Sequence, residues 1–83
     1  MNEITIQEKV GEITALKSEN NVLSDEMDRV FKKALEHPNK NLPMYKILQE
    51  ESKITNRINS SKLIVNNRRI EELEKEISKL SEA

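Results

Sequence analysis

The chain has no cysteine, no tryptophan, one glycine, one histidine and two prolines among its 83 residues. Without cysteine no disulfide can staple a small fold, and His37 alone cannot build a Cys/His zinc site. A single glycine, Gly11, leaves no Gly-rich loop to cradle a phosphate. The aromatics, Phe31 and Tyr45, amount to 2% and form no base-stacking platform. No apolar run approaches the roughly 20 residues that cross a bilayer. The opening "MNEITIQEKVGEIT" is acidic and lacks the apolar stretch of a cleaved signal. These absences point away from membrane spanning and from a cleaved export signal. The expected location is the cytoplasm, with export by a route without a cleaved signal, or incorporation in a virion, as the alternatives.

What is present is charge, at 35% of residues, in the proportions of a long-helix or coiled-coil protein. The net charge of −1 hides an uneven distribution. Residues 1–28 carry 2 basic and 7 acidic groups, residues 29–69 carry 10 and 3, and residues 70–83 carry 2 and 5.

Both prolines fall in "LEHPNKNLPMYK" (35–46), five residues apart. The residue before a proline is pushed out of the α region, so Pro38 ends one helix, and Pro43 suits the first position of the next. "PNKN" between them is turn chemistry. The pattern predicts a helix over about 4–36, a bend at 37–42 and a second helix over about 43–81. Two long helices joined this briefly fold back antiparallel, so the expected fold is an all-α, antiparallel coiled-coil hairpin, one domain over 1–83. Its length by helical rise is about 50–60 Å.

Helix one shows a heptad seam of Ile6, Ile13, Leu16, Asn20, Leu23, Met27, Val30 and Ala34, with Glu12, Glu19 and Glu26 on a solvated flank. On helix two the seam reads Ile47, Ile54, Ile58, Ser61 and Val65, followed after a phase slip by Ile70, Leu73, Ile77 and Leu80. A bend centred near residue 40 sets Asn20 opposite Asn59–Ser61 and Leu23 near residues 56–58. Asn20, Asn59 and Ser61 would then form a polar layer that locks register at a cost in stability.

Some apolar residues fit neither seam, among them Val10, Val22, Phe31, Leu35, Leu63 and Ile64. A two-helix hairpin cannot bury two faces of each helix, so this second stripe is expected to meet another chain, as a homo-oligomer of two or more copies or as a partner complex. The basic bend half and acidic open end are complementary, which suits antiparallel pairing or staggered stacking of hairpins.

Catalysis needs a second positioned group beside a candidate acid, base or nucleophile, and His37 has no evident one in sequence. It reads as a helix-end residue facing the last carbonyls. No catalytic, metal-binding or cofactor-binding residues are assigned, and the chain is expected not to be an enzyme. Arg57, Lys62, Arg68 and Arg69 are the candidate phosphate contacts of a nucleic-acid-binding hairpin, the runner-up reading.

The first 18 residues, "MNEITIQEKVGEITALKS", resemble the start of the small tail-fibre assembly chaperones of T4-like phages. That resemblance implies a short, helical, oligomeric protein that assembles other chains. "LEHPNKNLPMYKILQEESKITNRINSS" (35–61) resembles the helix–proline turn–helix centre of type III secretion needle subunits and their helical-hairpin co-chaperones. Taken with the composition, the expected function is that of a non-enzymatic coiled-coil protein acting through protein–protein contact. An assembly chaperone or accessory adaptor of a phage or other mobile bacterial element is its most concrete form.

Overall fold

A computed structural model of the chain describes residues 2–37 and 42–82. Two α-helices account for nearly all of them: α1 spans Asn2–Leu35 and α2 spans Pro43–Glu82. They pack antiparallel into a rod of 63 × 15 × 12 Å. The rod is close to the length that helical rise requires.

Both helices are built from good helix formers, and the one internal breaker, Gly11, keeps ordinary right-handed backbone. The last turn of α1 carries Lys32 and Lys33, whose charges suit the carbonyl end of the helix dipole. The Glu36 amide closes onto the Lys32 carbonyl at 2.9 Å. Pro43 opens α2, where its missing N–H has no ladder partner to lose. Tyr45 N donates to the Leu42 carbonyl at 3.0 Å in that first turn. The expected turn residues Pro38, Asn39, Lys40 and Asn41 lie outside the described residues.

The core is a single narrow seam. Leu23, Val30 and Ala34 of α1 and Leu48, Ile70 and Leu73 of α2 are its buried apolar members, and Leu73 is fully enclosed. Two buried amides, Asn59 and Asn66, interrupt it. Along α1 the half-buried and buried residues follow the heptad expected from sequence, at Ile6, Ile13, Leu16, Asn20, Leu23, Met27, Val30 and Ala34.

Along α2 only the C-terminal half follows expectation. The inward line is Leu48, Ser52, Thr55, Asn59, Leu63, Asn66, Ile70, Leu73, Ile77 and Leu80. Ile47, Ile54, Ile58 and Val65 instead remain 58, 52, 49 and 64% exposed. The expected phase slip after Val65 does not occur, for a physical reason. An unbroken helix turns as one body, so once Ile70, Leu73, Ile77 and Leu80 face α1, steps of three and four backward reach Asn66, Leu63, Asn59 and Thr55. The more apolar line runs beside that seam, about 100° around the helix, and its isoleucines and Val65 stay exposed.

Candidate interaction surfaces

The polar layer exists, with a different membership from the one expected. Asn59, only 3% exposed, donates from Nδ2 to the Leu23 carbonyl at 3.1 Å. Asn20 does not meet Asn59–Ser61. Its Oδ1 accepts from Asn66 Nδ2 at 2.9 Å, and its Nδ2 donates to Asn67 Oδ1 at 3.1 Å. Asn66 also lies 3.3 Å from Glu19 Oε1. Ser61 is exposed, and its hydroxyl donates to the Arg57 carbonyl one turn back on its own helix. The hairpin pivots a little later than residue 40, which moves each partner along α2. Asn66 and Asn67 were legible in principle. Stepping back from Ile70 by four gives Asn66, and by seven more gives Asn59, one line carrying both buried amides.

Ion pairs cross the rod at the open end. Lys9 Nζ lies 2.7 Å from Glu76 Oε2. Arg69 grips Glu12 with two nitrogens, Nε to Oε1 at 2.9 Å and Nη2 to Oε2 at 3.3 Å, while its Nη1 reaches Glu72 Oε2 at 3.3 Å. The forked geometry is the stronger form of such a pair. Accordingly the Arg69 hydrogen bond holds the Glu12 carboxyl below its ordinary value, and the Lys9 hydrogen bond does the same for Glu76. The hydrogen bonds that Arg69 donates to Glu12 and Glu72 raise its own value. Glu12 and Glu19, expected on a solvated flank, therefore both tie α1 to α2.

The four candidate phosphate contacts do not form one face. Arg69 is engaged with Glu12 and Glu72. Arg57, Lys62 and Arg68 are exposed. Arg57 and Arg68, eleven residues apart, share a line along α2, whereas Lys62 points about 140° away from Arg57 by helical rotation.

The six-residue apolar stripe also divides. Val10, Val22, Phe31, Leu35 and Ile64 are exposed, and Leu63 is half-buried on the inward line of α2. Nine residues separate Val22 from Phe31, which sets them on opposite sides of α1. Val22 lines a shallow depression with Asp25, Glu26 and Arg29 of its own helix. Phe31 and Leu35, by contrast, join Ala34 and cross to Tyr45, Gln49, Ser52 and Lys53, forming a groove of about 160 Å³ between the helices near the bend. His37 sits at the same end, its ring 6.4 Å from that of Tyr45 and tilted by 52°.

A second apolar surface is the outer line of α2. Ile47 and Ile54 line a trough there with Lys46, Glu50, Glu51 and Thr55. Among the described residues no cluster of three His, Cys, Asp or Glu side chains is placed to hold a metal ion, and no helix is long and apolar enough to cross a membrane. Comparison with protein-family models, curated proteins and solved structures returns no match to this chain.

Proposed function

We propose that this chain is a non-enzymatic coiled-coil protein that acts by holding a segment of another protein, as an assembly chaperone or adaptor does. The observation that carries this reading is the inter-helix groove at the bend. Phe31 and Leu35, each 55% exposed, flank it, and Ala34 and Tyr45 form part of its lining. A large apolar residue left half in water beside a concave floor is the ordinary form of an anchor site for a partner's apolar side chain. A helix laid along the rod would seat such anchors at three- and four-residue spacing. Gln49, Ser52 and Lys53 on the groove's far wall supply the polar contacts that orient it. The resemblance of residues 1–18 to phage tail-fibre assembly chaperones gives the same class of function.

Photo-crosslinking in the producing cell tests the groove. A benzophenone side chain replacing Tyr45 should yield a discrete adduct with a different polypeptide, and the same group at exposed Glu74 should not. Phe31→Asp should remove the adduct while circular dichroism keeps its helical amplitude. The reading fails if Tyr45 gives no adduct, or if Phe31→Asp leaves the adduct unchanged.

A further inference from the structure

The outer line of α2 has a property that the groove lacks: it is symmetric about residue 56. Ile47 stands nine residues before that position and Val65 nine after. Glu51 and Ser61 are matched at five residues, and Ile54 and Ile58 at two. Off that line, polar residues also fall level with polar residues in this register. Tyr45 is level with Asn67, Ser52 with Ser60, and Asn56 with itself. Among the charges, Glu50 is level with Lys62. Lys46, Glu51, Lys53 and Arg57 are level with Asn66, Ser61, Asn59 and Thr55. Arg68 and Arg69 fall level with Met44 and Pro43. Laid antiparallel on a copy of itself in this register, residues 43–69 set no charge level with a like charge. A centre half a residue to either side loses the match, placing Ile54 level with Arg57 or with Asn59.

The stripe also has coiled-coil spacing. Met44, Ile47, Glu51, Ile54, Ile58, Ser61, Val65 and Arg68 follow alternating steps of three and four, the requirement for packing against another helix along one seam. That seam lies about 100° from the one that faces α1 and is open along its length. A face that matches itself under reversal is what a two-fold contact between identical chains demands.

We propose that a second copy of this chain docks on the outer face of α2, antiparallel, about a two-fold axis at residue 56. Ile54 and Ile58 of the two copies form the centre of the contact, and Ile47 meets Val65 at each end. Glu50 lies at the height of Lys62 of the second copy on both sides of the axis. The pairing leaves the Phe31–Tyr45 groove outside the contact, so each dimer would present two copies of that groove.

The absence of native cysteine makes the test direct, because a nitroxide on one engineered cysteine sees only the label on another copy. Three exposed sites off the seam serve: Asn56→Cys, Lys46→Cys and Glu71→Cys. By a rise of about 1.5 Å per residue, the axial offsets between copies are about 0, 30 and 45 Å. Dipolar spectroscopy at high micromolar concentration should therefore give the shortest distance at residue 56 and increase to either side. Distances that fail to grow with separation from residue 56 would mean a parallel pair or a different contact, and no intermolecular coupling would mean no dimer. Each of these overturns the proposal. Ile54→Asp should weaken dimerisation by about 100-fold or more, because it sets an unpaired carboxylate in an apolar contact. Its helicity, read in parallel, shows that the monomer still folds. Phe31→Asp should leave the three distances unchanged, which separates this contact from the client groove.

Discussion

Replacing Asn59 in two different ways separates what the buried amide contributes from what it costs. The side chain is 3% exposed and donates one hydrogen bond to the Leu23 carbonyl at 3.1 Å. That carbonyl lies in the middle of α1, where the helix ladder already supplies it a donor. Losing Asn59 therefore leaves no oxygen stranded, and the bond is worth about 0.5–1.5 kcal/mol net. Asn59→Ala loses the bond and opens a cavity, so it should destabilise the hairpin by roughly 1.5–3 kcal/mol. Asn59→Leu loses the same bond but gains apolar burial of about 1.5–3 kcal/mol, less up to about 1.5 kcal/mol for refitting a branched side chain. Its stability should fall within about 1 kcal/mol of the parent, on the stabilising side. The two variants should thus differ by roughly 2–4 kcal/mol, a large share of the total for a chain whose stability scales at about 0.05–0.15 kcal/mol per residue. Urea unfolding by circular dichroism at one fixed protein concentration measures this, since association also shifts the midpoint. If leucine destabilises as much as alanine, the amide is net stabilising and the reading of this layer as a register device is wrong.

Two further outcomes follow from residues elsewhere on the rod. Gly11 is mid-helix, and a Cβ added there meets nothing within 4 Å, so Gly11→Ala should raise stability by about 0.5–1 kcal/mol through helix propensity, seen as a higher urea midpoint with unchanged slope. A destabilised variant would mean that α1 is bent or paired there in solution. Glu12 and Glu76 are held below the ordinary carboxylate value of 4.5 by hydrogen bonds from Arg69 and Lys9. A carboxylate depressed in the folded state contributes stability that is complete above its unfolded value and is lost as pH falls through the folded one. The open end should therefore loosen below about pH 4.5, and amide exchange should quicken there first. Glu12→Gln should lose less stability than the parent between pH 7 and pH 3, and equal losses would show that the cross-helix pair does not contribute.

Much of the fold is written in spacing. The α1 seam from Ile6 to Ala34 was readable because helix one carries a single uninterrupted line at steps of three and four, and the structure places that line inward. Pro43 marked the start of α2 because its fixed φ and missing N–H suit that position and few others. The groove was half legible. Phe31 and Leu35 stood out as apolar residues off the seam, but Tyr45, Gln49 and Ser52 gave no signal, since they become its wall only when α2 lies alongside. Val22 shared their composition and not their face.

The sequence by itself therefore determined two long helices, their antiparallel return and the inward face of α1. Local propensity, proline geometry and a single apolar line each require nothing beyond the chain's own neighbours. Only the tertiary structure decided which line of α2 turns inward. Two lines compete there, Ile47–Ile54–Ile58–Val65 and Leu48–Thr55–Asn59–Asn66, and apolarity alone favours the first. The helix turns as one body, and the Ile70–Leu80 seam at its far end fixes the rotation of the whole. That choice buries Asn59 and Asn66, gives Asn20 its partners, and leaves the more apolar face open to another chain.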